Sequence, residues 1–454
     1  MNIPFFLAIT ALLGSIYIWI GKRSSKNVQT NDDYFLMGRK LGFFQLSLTL
    51  LATQLGGGSL LGAAQEAYQK GWIVLFYPLG ACLGLFALGM GFGGKLRKLN
   101  ISTIAEIFEK IYRSRRQRLI ASGLSILALF FILVAQGIAA KNFFIAMNFQ
   151  SPIIFILFWA ILIAYTVMGG LKAVVNTDIL QALFILVTLG FAFFSINFSN
   201  IAISKHQVSP NLGISTVPWI SWFFMPFLFM LIEQDMGQRC FAAKKPKIIS
   251  ISAVVAGILL LVSSSVAIYF GVLAKKLGIQ ALGNASILIE SVKALTNPVV
   301  TTLFMGAIFM AVISTADSIL CSIGSNLSYD FLVSKKISAK KQVWISRMLT
   351  LITGLGSLGL VYVFDNVVTM LMFAYELSVC ILFVPITLAM LSKNPSRLGA
   401  YFSMALGAIG FGVFRFISLP IPKEVMTLSL SFIGYMIGRK IDLQRTYVKQ
   451  IQEE

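Results

Sequence analysis

Residues 311–325 read Ala311-Val-Ile-Ser-Thr-Ala-Asp-Ser-Ile-Leu-Cys-Ser-Ile-Gly-Ser325 inside an otherwise apolar segment. Ala311, Ser314, Thr315, Ser318, Ser322 and Ser325 recur at helical spacing and form one small, polar stripe. Lipid offers a hydroxyl no partner, so the stripe faces either another helix or something hydrophilic in transit.

The surroundings of this stretch fix the class of protein. Apolar runs of about 20 residues, each matched to a hydrocarbon core roughly 30 Å thick, recur along the chain. Of the 454 residues, 57% are hydrophobic and 12% charged. This is the composition of an all-α polytopic membrane protein. About thirteen spans are expected, near 3–20, 42–66, 71–93, 119–140, 151–168, 178–197, 216–234, 248–273, 298–326, 345–363, 366–391, 398–414 and 424–438. The net charge of +20 does not signal nucleic acid, because the basic residues sit in loops between spans. Most of the 37 Lys and Arg follow odd-numbered spans, which places the N-terminus outside and the C-terminus in the cytoplasm. A multi-pass protein of the cell (inner or plasma) membrane follows, with no obligatory protein partner evident.

Other chemistries find little support. The single histidine, His206, excludes a His-based metal centre, and Cys82, Cys240, Cys321 and Cys380 lie in or beside spans, so no disulfide framework is visible. No nucleotide motif and no organic cofactor are expected. The first apolar segment lacks a basic leading region and reads as a retained helix. Between 95 and 118, Thr103-Ile-Ala-Glu106 is a capping box. Ile104, Ile107, Phe108 and Ile111 give that segment one apolar face, so it is expected to lie on the cytoplasmic membrane surface.

Two spans carry helix breakers. Gly56-Gly57-Gly58 interrupts the second span, and Pro226 removes a backbone hydrogen bond near the centre of the seventh. Paired interruptions five spans apart point to inverted repeats around a binding site at the midplane. By depth, carbonyls freed near Ala52 and Leu55 meet the hydroxyls of Ser314 and Thr315. Uncharged hard oxygens suit a monovalent cation such as Na⁺ better than a divalent one. Hydroxyls bonded one turn back, or small residues easing helix packing, would leave the same pattern.

Intramembrane acids are functional candidates by default. Glu376, near the depth of Ser314, could hold a substrate ammonium group or accept a proton, and Asp317 could support the ion site or accept a proton. Glu233 and Asp235 are expected to form a salt bridge or gate with Arg239 at the cytoplasmic edge, and Glu66 to be solvated. No Lys or Arg is expected at mid-depth. Further candidate solute contacts are Gln54 and Ser59 beside the glycine run, Gln136 in the fourth span, and Trp222 as part of a lid.

Several motifs together resemble the sodium/solute symporters, the family of the proline, pantothenate and galactose carriers. Asp33-Tyr-Phe-Leu-Met-Gly-Arg39 is similar to the motif before that family's first core helix. Tyr165-Thr-Val-Met-Gly-Gly-Leu-Lys-Ala-Val-Val-Asn-Thr-Asp178-Ile-Leu-Gln181 resembles its most recognisable signature. Gln238-Arg-Cys-Phe-Ala-Ala-Lys244 and Ile313-Ser-Thr-Ala-Asp-Ser318 resemble its sixth-helix and eighth-helix patterns. The resemblance implies a five-plus-five inverted-repeat (LeuT-type) core: a leading helix at 3–20, repeats at 42–197 and 216–391, trailing helices at 398–438 and a cytoplasmic tail at 439–454.

It also implies an Na⁺ site of Ala52, Leu55 and Ala311 carbonyls with Ser314 and Thr315 hydroxyls, and Asp178 as a waypoint for outgoing Na⁺. The implied function is inward Na⁺ movement coupled to uptake of a small organic solute (an amino acid, carboxylate, vitamin or sugar) across the lipid bilayer. Two positions depart from the pattern. Gln54 replaces an acid of the proline carriers, which argues against proline, and Asn176 stands where tryptophan is usual. A proton-coupled carrier using Glu376 or Asp317 is the alternative. A membrane-integral enzyme, more remote, would need a clustered catalytic constellation.

Overall fold

The computed structural model describes residues 3–26, 28–147, 149, 151–196, 219–280, 286–332, 337–364, 366–417 and 421–453. His206 lies outside them. Polar caps set where the long apolar helices begin. Ser114 accepts the Gln117 amide, Asn297 the Val300 amide and Asn366 the Thr369 amide, and Pro152, Pro246 and Pro298 occupy first helical turns.

The main helices are α1 (Ile3–Ser25), α2 (Phe43–Gln54), α3 (Ala63–Lys70), α4 (Phe76–Ala87), α5 (Arg115–Ala146) and α6 (Pro152–Phe194). They are followed by α7 (Trp219–Ile232), α8 (Gln234–Ala242), α9 (Pro246–Lys276), α10 (Pro298–Asn326), α11 (Ala339–Leu360), α12 (Val367–Leu391), α13 (Arg397–Val413) and α14 (Lys423–Glu453). Among the described residues, β pairing is limited to one isolated bridge between Leu41 and Ala243. Seven helical stretches there are long and apolar enough to cross a membrane, and α7 and α13 are shorter apolar helices.

Helix α10 is the hub. Every residue from Phe304 to Asn326 is buried, and the helix packs against α5, α6, α2 and α11. Its polar stripe therefore faces protein all round, and lipid touches none of it. On the far side of α6, α1 docks through Tyr17 against Tyr165, with ring centroids 5.5 Å apart.

Three breaks shape the bundle. At 43 residues, α6 is far longer than one bilayer crossing needs, and it bends at Gly170 (φ 57, ψ −150). A side chain there would be strained by that backbone, and its Cβ would sit 2.3 Å from the Tyr34 carbonyl oxygen. The second break separates α2 from α3. Leu55 leaves helical geometry (φ −81, ψ 59), and the following glycines admit close neighbours rather than supply unusual dihedrals. A Cβ on Gly57 would lie 2.4 Å from Ala139 Cβ, and one on Gly58 would lie 2.2 Å from Leu371 Cδ1.

The third break corrects the sequence reading. Pro226 sits inside α7 without ending it, and the chain opens instead at Glu233 (φ −71, ψ 135), between α7 and α8. A proline deletes one backbone bond, which neighbouring helices in a bundle tolerate. A residue in extended conformation interrupts the ladder outright.

Two surface expectations also change. The segment around Glu106–Lys110 is docked onto the bundle, with Ile104, Ile107 and Phe108 buried. Arg118 sews it there, 3.0 Å from Glu106, 2.6 Å from Glu109 and 2.8 Å from Asp330. The Thr103 hydroxyl accepts the Glu106 amide, but Glu106 reaches back to the Ser102 amide, one residue earlier than a capping box requires. Residues 439–453 continue α14 as helix.

Candidate functional site

The α2–α3 break lies against the middle of α10, and oxygens converge there. Ser314 Oγ donates toward the Ala52 carbonyl at 2.9 Å and the Ala311 carbonyl at 3.0 Å. Thr315 Oγ1 donates to the Thr53 carbonyl at 2.9 Å and lies 3.4 Å from the Ala311 carbonyl. One hydroxyl proton cannot serve two carbonyls fully, so this cluster is rich in lone pairs and poor in protons. A small, hard monovalent cation complements such a set. Of the residues expected here, Ala52, Ala311, Ser314 and Thr315 meet directly. Leu55 sits at the break itself, next to Gly56, where an added Cβ would approach Thr315 Oγ1 to 2.5 Å. The Thr53 carbonyl is an addition that residue depth did not single out.

A polar chain runs onward from this cluster. Thr53 Oγ1 and Ser318 Oγ are 3.1 Å apart. Arg239 Nη2 donates to Ser318 Oγ at 2.6 Å and lies 3.3 Å from Asp178 Oδ2, while its Nε donates to Thr49 Oγ1 at 2.9 Å. The Thr49 hydroxyl donates in turn to Asp178. Asp178 and Arg239 have no solvent exposure. Arg239 is thus a cation buried in the bundle and paired with Asp178, where pairing with Glu233 and Asp235 was expected. Its one contact to that pair is from Nη1 to the Asp235 carbonyl, 3.1 Å. Asp317, also buried, accepts the Tyr165 hydroxyl.

Beside the oxygen cluster is a small cavity of about 20 Å³. Gln54, Ser59 and Gln136 line it. Gln136 Oε1 accepts the Gly57 amide at 2.9 Å, and Ser59 Oγ donates to the Gln54 carbonyl at 2.7 Å, so both brace the broken helix. Thr315 borders the same space. Glu233 and Asp235, expected beside Arg239 at the cytoplasmic edge, instead complete the wall, together with Tyr77 and Tyr375, which the sequence reading did not single out. The two tyrosine hydroxyls are 3.4 Å apart.

Two expected solute contacts stand elsewhere. Glu376 is held by Arg415 at 2.9 Å and Lys423 at 3.0 Å, in a cluster where α12 meets α13 and α14. Depth places a residue along a helix axis but not around it, and it is the preceding residue, Tyr375, that turns to the cavity. Trp222 is buried outside the cavity wall, with the Lys70 ammonium 4.5 Å from its ring centroid. Lys70 also pairs with Glu66 at 2.8 Å, so Glu66 is not simply solvated.

The sequence model of the sodium:solute symporter family matches residues 34–407. High-affinity choline transporter 1 of Drosophila melanogaster is 25% identical over 78% of this chain and 60% of its own length. The sodium/pantothenate symporter of Haemophilus influenzae is 24% identical over 99% of this chain and 98% of its own. The chain therefore spans less than two thirds of the fly protein and nearly all of the bacterial one.

Among solved structures, a substrate-bound, outward-open Na⁺-coupled sialic acid symporter superposes with a TM-score of 0.77 at 17% identity, covering 96% of this chain and 97% of that one. Mhp1, a nucleobase-cation-symport-1 family transporter in a closed conformation, gives 0.60 at 14%, covering 91% and 95%. At these identities the two structures speak to the fold.

Proposed function

The chain belongs to the sodium:solute symporter family, and from that premise we propose that it couples inward Na⁺ movement to uptake of a small organic solute. Ala52, Thr53 and Ala311 carbonyls with the Ser314 and Thr315 hydroxyls hold the ion, with Leu55 closing the set at the helix break. The solute occupies the adjoining cavity between the breaks at Leu55 and Glu233. The observation that carries this reading is the meeting of Ser314 and Thr315 with the carbonyls of Ala52 and Thr53. An ion seated there ties α10 to the broken end of α2 and so shapes the cavity wall that Thr315 shares.

Family membership makes the chain a transporter, not an enzyme. We further read it as thirteen spans, a five-plus-five inverted repeat with one helix before and two after. The breaks at Leu55 and Glu233, each in the opening helix of a repeat, support that arrangement. Alternating access then rocks one set of helices about the cavity, driven by the Na⁺ gradient across the cell membrane. The N-terminus lies outside and the C-terminus in the cytoplasm, as the charge bias of the loops requires. Asp178 receives the ion on its way in. Neither Glu376 nor Asp317 opens onto the cavity, so nothing favours proton coupling through them.

The test is equilibrium binding of radioactive Na⁺ to purified full-length protein, wild type beside Thr315→Ala, at fixed pH and ionic strength. Saturable binding that the substitution weakens supports the reading. Absence of saturable binding in the wild type, with and without candidate solutes, refutes it.

A further inference from the structure

The relatives named above carry solutes of different charge, so family membership leaves the solute class open. The cavity wall does not. We propose that the solute is a small organic monocation whose counter-charge is the Glu233–Asp235 pair. This rests on the reading of the cavity as the solute site.

Glu233 and Asp235 are both at least nine-tenths buried and both line the cavity. Glu233 Oε2 and Asp235 Oδ2 are buried without a hydrogen-bond partner among the described residues. Two carboxyls thus face one small space, which makes this wall a site of negative charge. The start of α8 favours that charge, because the Met236 amide donates to Asp235 Oδ1 at 2.6 Å at the positive end of the helix.

A buried negative charge needs an opposite charge nearby. Among the described residues lining the cavity there is no Lys, Arg or His. Arg239 meets the pair at the Asp235 carbonyl, and its guanidinium otherwise bonds Asp178, Ser318 and Thr49. The missing cation therefore comes with the ligand. Tyr77 and Tyr375 add aromatic side chains to the wall, which suit an organic cation, and Phe229 packs on Tyr375 at 4.5 Å between centroids. A solute carboxylate finds little here, since the Gly57 amide freed by the helix break is already taken by Gln136.

The experiment uses the full-length protein in proteoliposomes with an inward Na⁺ gradient and five radiolabelled probes: ethanolamine, choline, proline, pantothenate and glucose. Binding of radioactive Na⁺ is measured in parallel. The expected result is Na⁺-dependent uptake of ethanolamine or choline, reduced at least tenfold by Glu233→Gln or Asp235→Asn, with Na⁺ binding kept within twofold of wild type. Glu233→Asp, which keeps the charge, should recover part of the uptake. A wild-type competition serves if the neutralised variants do not fold: unlabelled choline should inhibit cation uptake, and its uncharged isostere 3,3-dimethyl-1-butanol should not.

The proposal is overturned if neither cation is taken up, if the isostere competes equally, or if uptake survives both neutralising substitutions. Loss of saturable Na⁺ binding in the wild type would instead sink the symport reading.

Discussion

Ser314 Oγ reaches the Ala52 carbonyl across 2.9 Å although the two residues are 262 positions apart in the chain. The contact joins the middle of α10 to the frayed end of α2. It is a weak tie, one hydroxyl proton divided between two carbonyls, and a cation placed between those oxygens would replace it with stronger electrostatic bonds. Ser314→Ala should therefore weaken Na⁺ binding by roughly tenfold or more, from about 1–3 kcal/mol of lost interaction. Thr315→Ser, which keeps its hydroxyl, should stay within a few-fold of wild type. Na⁺ titrations of both variants check this, and equal losses would rule out a hydroxyl-specific role.

Gly57 faces Ala139 so closely that an added methyl would arrive 2.4 Å from Ala139 Cβ. Gly57→Ala should lower stability by about 1–3 kcal/mol through overpacking. Pairing it with Ala139→Gly should restore part of that loss, because the second change removes the atom struck. Thermal unfolding of the two single variants and the double variant in detergent decides; additive losses would mean that the glycine serves the backbone alone.

Asp178 and Arg239 form an ion pair with no solvent exposure. Removing either partner by Asp178→Asn or Arg239→Gln strands a buried charge, and each should destabilise by about 3–5 kcal/mol. The double variant should lose clearly less than the sum. A double-mutant cycle by chemical denaturation measures the coupling, and strict additivity would show that the pair is not acting as one.

Glu376 is held by Arg415 and Lys423, away from the cavity. Glu376→Gln should leave solute KM within about twofold of wild type. It should lower stability by about 1 kcal/mol, a modest figure because Lys423 is two-fifths exposed. Transport kinetics alongside a melting curve separate the two effects. A large rise in KM with unchanged stability would return Glu376 to the solute site.

Gly170 combines φ 57 with a carbonyl oxygen 2.3 Å from where a Cβ would be. Gly170→Ala should reduce the yield of folded protein, since backbone strain alone costs about 1–3 kcal/mol and the clash with Tyr34 adds to it. Size-exclusion profiles of detergent extracts report the outcome, and a wild-type profile would mean that the α6 bend yields easily.

Different kinds of signal in the chain carried differently into three dimensions. The apolar runs and the small polar stripe of α10 were readable because composition and helical periodicity are local properties. Gln54 and Ser59 stand out in the sequence because they flank the glycine run, whereas the bond from the Gly57 amide to Gln136 is visible only in three dimensions. Glu376 and Trp222 were misplaced because depth along an axis is silent about rotation around it, and rotation is decided by which helices pack alongside. The opening at Glu233 was hidden for a related reason. A proline marks a missing donor in the sequence, whereas an extended residue at a helix break carries no residue type of its own. The apolar face at Ile104, Ile107 and Phe108 was correctly amphipathic, but periodicity cannot say whether protein or lipid covers such a face, and protein does.

The guanidinium of Arg239 is a cation that cannot diffuse away. A free ion stepping from the α10 cluster toward Asp178 would arrive beside a carboxylate whose charge is already half-shared with a tethered neighbour. It would be held there briefly instead of being trapped. Rates of passage along that route should then follow how readily α8 swings its side chain aside, so temperature and helix mobility, more than ion concentration on the receiving side, would set the pace.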